Sequence, residues 1–266
     1  MKKNKPALGG ILLLLTLFVS CHKIDELRYD LQNGNADLKQ CVIKEIDFQF
    51  STELLFGATQ LKFTYNSKKD PVTMTPDFID DGSPIRVFYY DKAGRLTQFA
   101  GIFPNGAFEF WHNYFYDRSD RIVGDSLYTL GRIGQLGGAS IKAFSQLSYD
   151  HLNRITREIK TSNALNPDRS DTTYFQYDAA GNLNGGQGPY DHNVNPLLTN
   201  KIWRFLDRDY SVNNSIQATA YDEHRLPILY SNNLGGHQME LFEYNIQPAL
   251  GLTLQYDCTE GLIPGY

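Results

Sequence analysis

The 266-residue sequence predicts an all-β fold: an antiparallel up-and-down meander of hairpin repeats, curled into an open or nearly closed barrel. Three observations predict it. A Tyr-Asp unit recurs from about residue 60 onward. Aromatic residues make up 13% of the chain, with 17 Tyr and 16 Phe against 2 Trp, an enrichment that suits pleated surfaces. The segments between units alternate apolar and polar side chains with a period of two.

The unit is fullest at Tyr90-Asp91-Lys92-Ala93-Gly94-Arg95-Leu96. It returns as Tyr116-Asp117-Arg118-Ser119-Asp120-Arg121-Ile122, as Tyr149-Asp150-His151-Leu152-Asn153-Arg154-Ile155, and as Tyr177-Asp178-Ala179-Ala180-Gly181-Asn182-Leu183. A shortened copy is Tyr221-Asp222-Glu223-His224-Arg225-Leu226. In the full copies position five is Gly, Asp or Asn, the residue types that tolerate positive φ in a tight turn. The Asp at position two accepts a hydrogen bond from an N–H two residues on, the Tyr ends one strand, and the Leu or Ile begins the next. Each copy is therefore expected to be one hairpin turn.

Residues 1–20 carry Lys2, Lys3 and Lys5 before an apolar run from Leu8 to Val19, a secretory signal pattern too short to span a membrane. The run ends at Leu17-Phe18-Val19-Ser20-Cys21, which resembles the lipobox of bacterial lipoproteins, with Phe18 in place of the usual Leu. That resemblance implies that Cys21 is acylated and anchors the mature chain to a bilayer. The alternative is an ordinary signal peptide with an incidental Cys. Residues 21–40 lack sustained periodicity and are expected to be a tether, leaving 41–266 as a single β-meander repeat domain. Removing residues 1–20 takes three Lys from the 25 Lys and Arg set against 30 Asp and Glu, so the net charge falls from −5 to −8. That balance disfavours nucleic acid as a partner.

Cys41 and Cys258 stand near the two ends of the predicted domain. An oxidising compartment permits a disulfide between them; two buried free thiols are the alternative.

Strands are expected at 42–50, 59–65, 85–91, 95–103, 107–117, 121–130, 141–149, 154–161, 172–178, 216–222, 226–231, 238–244 and 252–257. In 107–117, Phe108, Phe110, Tyr114 and Tyr116 share one face while Trp111 and Phe115 decorate the other, so that strand is expected to be covered on both sides. In 141–149 the alternation is clean apart from Phe144. The turn-entry aromatics Tyr65, Tyr90, Tyr116, Tyr149, Tyr177, Tyr221 and Tyr244 are 23 to 44 residues apart, a core unit of about 25 residues with insertions in the longer gaps. Gly131 to Ser140, with Gly134 and Gly137 between, reads as a mobile loop without a phosphate-binding pattern. Asp80-Asp81-Gly82 reads as a turn.

The second insertion, 185–215, holds Lys201-Ile202-Trp203-Arg204-Phe205-Leu206-Asp207-Arg208-Asp209-Tyr210. Two readings stand open. As a cap, its apolar residues cover an open end of the sheet while Arg204, Asp207, Arg208 and Asp209 form ion pairs. As a binding site, Trp203 and those same charged residues meet a ligand, since long loops on rigid scaffolds carry function.

The Tyr-Asp-x-x-Gly-Arg units resemble the tyrosine-aspartate repeats of the Rhs group, in which successive hairpins build one long curling sheet. Together with the lipobox, Tyr190-Asp191-His192-Asn193-Val194-Asn195-Pro196 and Tyr210-Ser211-Val212-Asn213-Asn214 resemble uncharacterised Bacteroidetes lipoproteins of a domain-of-unknown-function family with a porin-like curled β fold. Asp25 and Glu26 also resemble the acidic export tags of surface lipoproteins in such bacteria. The resemblance spans roughly residues 41–258 and assigns no catalytic residues.

No metalloprotease His pair, Gly-x-Ser-x-Gly elbow, Walker motif or EF-hand loop occurs, and the six His are scattered without ligand spacing, so neither metal nor cofactor is expected. The reading that follows is a non-enzymatic binding or envelope-structural lipoprotein, anchored to the outer membrane and facing periplasm or surface. A glycan or another envelope protein is its partner. The alternative is a glycoside-type hydrolase using Asp207 and Asp209, which requires both side chains to converge in a water-excluding pocket. An integral porin is disfavoured, because polar strands such as 154–161 offer no outward apolar belt.

Overall fold

The structure, a computed structural model, describes residues 41–49, 59–79, 82–162, 170–185, 189–230, 239–241, 244–246 and 251–258. Two compact units divide the chain, Met1–Leu38 and Lys39–Tyr266, and every described residue belongs to the second. The expected signal peptide, Cys21, the acidic pair and the tether lie outside the described residues, as do Asp80 and Asp81. Among the described residues no helix is long and apolar enough to cross a membrane.

The fold is all-β. Its strands are β1 (Cys41–Gln49), β2 (Gln60–Tyr65), β3 (Pro71–Pro76), β4 (Ile85–Tyr90), β5 (Leu96–Ile102), β6 (Ala107–Tyr116), β7 (Ile122–Arg132), β8 (Ile141–Tyr149), β9 (Ile155–Ser162) and β10 (Ser170–Tyr174). They continue as β11 (Ala220–Tyr221), β12 (Pro227–Tyr230), β13 (Met239–Leu241), β14 (Tyr244–Ile246) and β15 (Gly251–Cys258). From β10 back to β1 each strand pairs with its sequence neighbour, and the 13-stranded sheet then continues through β15, β12 and β11. The sheet curls without closing, its edges being β10 and β11, while β13 and β14 pair apart from it. β3 is absent from the expected strands; it begins at Pro71, and Pro is tolerated at the first residue of a strand, where no ladder donor is required.

The Tyr-Asp units are the turns, and one set of bonds builds them all. Asp91 Oδ1 accepts from the N–H groups of Ala93 and Arg95, both at 2.9 Å. Asp117, Asp150 and Asp178 bind the corresponding N–H groups of their own turns. Position five is left-handed throughout, with φ of 83° at Gly94, 57° at Asp120, 59° at Asn153, 87° at Gly181 and 64° at Arg225. The turn from Tyr65 to Pro71 follows the same plan with Asn66 in place of Asp and Lys69 at φ 61°.

Each hairpin also carries a bulge. The register shifts between Tyr89 and Tyr90, between Phe115 and Tyr116, and between Ser148 and Tyr149, so two residues of the second strand oppose one of the first. The extra residue lets the position-seven apolar residue and the next-but-two both face inward, as Leu96 and Phe99 do.

Successive turns are riveted together. The Tyr90 hydroxyl donates to Pro71 O at 2.6 Å, Tyr116 to Leu96 O at 2.7 Å, and Tyr149 to Ile122 O at 2.6 Å. Burial pushes the Tyr90 and Tyr149 phenols up, keeping each a donor. The position-six Arg spans the same junction. Arg121 binds Asp117 of its own turn at 2.7 Å while its guanidinium lies 5.4 Å from the Tyr149 ring centre, and Arg154 repeats this with Asp150 and Tyr177.

Candidate functional site

The core lies on the inner face of the curl and is filled by the second insertion. Asn195 accepts from Leu197 N–H and opens a 3-10 turn over Pro196–Thr199; Asn200 then caps helix α1 (Lys201–Leu206) by accepting from Ile202 N–H. The Asn200 amide donates to Lys69 O at 2.9 Å, tying the helix to the β2–β3 turn. Ile202, Trp203, Phe205 and Leu206 are all buried, Trp203 at 0% exposure. The indole meets Phe63 of β2 and Phe88 of β4 edge-on at 5.7 Å, and Phe205 meets Tyr114 of β6 at 5.1 Å.

Charged residues of the segment are drawn inward too. Arg208, in the left-handed region at φ 53°, lays its guanidinium 4.5 Å from the Phe205 ring centre and donates to Phe205 O. Its Nη2 lies 3.3 Å from Asp125 Oδ2 and 3.7 Å from Glu158 Oε1. Asp125 is buried and also receives His112 Nδ1 at 2.9 Å, so β6, β7, β9 and the insertion share one charge cluster. Pairing of this kind is required where charges are taken from water. Burial pushes the Asp209 carboxyl up, against the Ser211 N–H it accepts at 2.7 Å. Asp207 ends the helix as its C-cap, and Arg204 lies 5.7 Å from the Tyr210 ring centre. Of the five residues singled out, Trp203 and Arg208 thus reach the strands, while Arg204 meets Tyr210, Asp207 caps the helix and Asp209 accepts from Ser211, all within the insertion itself.

Two Asn-rich stretches clasp the insertion. Asn182 Oδ1 accepts from the N–H groups of Val212 and Asn213, and the Asn213 amide donates to Asn193 O. Asp191 Oδ1 accepts from Asn193 and Asn214 N–H, and its Oδ2 accepts from Tyr221 Oη at 2.6 Å. Burial opposes ionisation of Asp191, but the Tyr221, Asn193 and Asn214 donors prevail and hold its carboxyl below the usual range.

The outer face is partly clad. A bulge at Glu109 turns Phe108 onto the face of Trp111, not that of Phe110 as alternation predicts. Phe108 and Trp111 are buried under the Gly131–Ser140 segment, which folds into a 3-10 turn at Leu136–Gly138 with Ala139 buried, where a mobile loop is expected from sequence. Phe115 and Phe144 remain 51% and 38% exposed, with ring centres 6.3 Å apart. Gly124 permits this: a Cβ there would stand 3.2 Å from Phe144 and 3.3 Å from Phe115. Beside Phe144 lies a shallow hollow of about 400 Å³ lined by Ser126, Tyr128, Lys142, Thr161 and Ser162.

Cys41 and Cys258 face each other across the β1–β15 ladder and form a disulfide. The β11–β12 turn brings His224 to them, with the three ligand atoms within 4.8 Å of one another. Sequence spacing could not show this group, because its members lie in three separate segments. His112 and Asp125 were legible in principle, as polar residues at inward positions of apolar strands.

No protein-family model and no curated protein matches the chain. A solved structure titled "Crystal Structure of TcdB2-TccC3-Cdc42" is similar at 14% identity and a TM-score of 0.24, over 69% of this chain and 11% of that one. A TM-score that low carries no argument for fold or function.

Proposed function

We propose that the protein is a non-enzymatic lipoprotein of the cell envelope, held to the outer membrane by an acylated Cys21, and that it binds glycan on the outer face of its sheet. The observation that carries the binding reading is the exposed Phe115 and Phe144 pair, with Phe144 itself lining a shallow, mainly apolar hollow. Aromatic faces are electron-rich and suit the C–H faces of sugar rings, while Ser126 in the lining of the hollow adds a hydroxyl. The lipobox and the Bacteroidetes lipoprotein resemblance support the anchoring. The carboxylate-pair hydrolase has less support, since Asp209 Oδ1 accepts from the backbone N–H of Ser211 within the insertion.

A glycan array probed with the purified protein tests this reading. Binding should fall tenfold or more in Phe115→Ala and in Phe144→Ala, with stability changed by only about 1 kcal/mol. A blank array, or both variants binding like the parent, would overturn it.

A further inference from the structure

We infer that Cys41, Cys258 and His224 form a redox-gated site for a soft metal ion of the zinc or copper(I) class, closed while the disulfide stands and opened by its reduction. The two sulfurs are presented by directly paired residues of β1 and β15. The imidazole comes from the β11–β12 turn, whose Asp222 accepts from His224 N–H at 2.9 Å and so fixes the backbone that carries it. Position four of the full units is Ala93, Ser119, Leu152 or Ala180, none of them a metal ligand. Here it is His, and it is the copy that faces the cysteines.

The dimensions fit. Zinc bonds of about 2.3 Å to sulfur and 2.0 Å to nitrogen place tetrahedral ligand atoms roughly 3.5 Å apart. The imidazole need close by no more than about 1.3 Å, and the sulfurs must part from their covalent bond to a spacing that cross-strand Cβ positions allow. Two thiolates and one imidazole are the donor set that selects zinc or copper(I), leaving one position for water. The His224 side chain is 34% exposed, so an ion has a path in.

The chemistry balances. A dithiol gives two electrons and two protons to the Cys41–Cys258 bond and is itself closed to a disulfide. The two thiols formed then lose their protons to solvent as the metal binds. In the oxidised state the sulfurs have no thiolate to offer, so metal occupancy reports the redox state.

The test uses the full chain, oxidised or reduced with dithiothreitol and desalted without oxygen, then titrated with Co²⁺ as a spectroscopic probe and displaced by Zn²⁺. The reduced protein should take up one Co²⁺ per chain with a thiolate-to-cobalt charge-transfer band, and the oxidised protein none. His224→Ala should keep that band and bind at least tenfold more weakly, and His224→Cys should restore affinity. Equal binding by both redox forms would overturn the proposal. So would absence of the band, unchanged affinity in His224→Ala, or loss of the β-sheet circular dichroism on reduction.

Discussion

The Arg95 guanidinium lies 5.0 Å from the centre of the Tyr116 ring while it binds Asp91 of its own turn at 2.8 Å, so one side chain joins two consecutive hairpins. The members of the Tyr-Asp-x-x-Gly-Arg unit thereby act in distinct ways. Asp shapes the turn, Tyr is received by the preceding unit, and Arg receives the following one.

This division of labour makes the rivets separable by mutation. Tyr116→Phe removes the bond to Leu96 O and should cost about 1 kcal/mol in chemical denaturation. Arg154→Ala should cost about 1 kcal/mol or more, because its side chain is 15% exposed and 4.2 Å from the Tyr177 ring centre. Arg95→Ala, at 42% exposure, should cost less. The reverse order would show that the Arg contacts do not stabilise the array.

Gly94 tests the turn itself. At φ 83° a β-branched residue is strained, so Gly94→Val should cost about 1–2 kcal/mol while Gly94→Asn stays near neutral. Equal melting temperatures for the two variants would contradict a left-handed position five.

Trp203→Ala should cost about 3–5 kcal/mol, since the indole is fully buried between Phe63 and Phe88. Thermal melts read this directly. A loss under about 1 kcal/mol would mean that the helix does not anchor the inner face.

Acid and base should act oppositely on two carboxyls of the insertion. The Asp209 carboxyl is raised by burial above its ordinary 3.8, so its contribution is complete below that value and is lost as pH rises through the folded pKa. Asp209→Asn should therefore be more stable than the parent at neutral pH and lose that advantage in acid. Asp191 is lowered, so its contribution is complete above 3.8 and fades as pH falls through the folded pKa. Denaturation midpoints for Asp191→Asn should converge with the parent at low pH. Parallel pH profiles for parent and variants would refute both assignments.

Cys21 acylation is checked by metabolic labelling with a clickable palmitate. The parent should be marked and Cys21→Ala should not; equal labelling would exclude this residue as the anchor.

The turns were legible because their causes are local: an Asp two residues before its donor and a residue tolerant of positive φ need no tertiary context. Arg225 shows the limit, taking up φ 64° although its side chain gives no such signal; the bonds of Asp222 impose it. The side of the sheet that Phe108 occupies was illegible, since one bulge at Glu109 reverses the parity on which alternation rests. The apolar residues at 202, 203, 205 and 206 were read as a cover for the sheet, but neither the six-residue helix that carries them nor the surface that receives it was legible. The partners of Arg208 lie 83 residues away at Asp125 and in a different strand at Glu158, beyond any spacing rule.

The filling of the inner face bears on how long such an array can be. From Tyr90 to Tyr177 each unit hands the next an Arg contact, but the chain of rivets breaks there, with Asn182 in place of Arg and the Tyr221 hydroxyl turned to Asp191. The insertion spans the strands these units build. From Trp203 against β2 and β4 to Arg208 against β7 and β9, a single short segment touches strands along most of the meander. Those contacts fix which strands the segment can meet, so a chain with one unit more or fewer between β4 and β7 would carry Asp125 and Glu158 away from Arg208 while Phe63 and Phe88 stayed against Trp203.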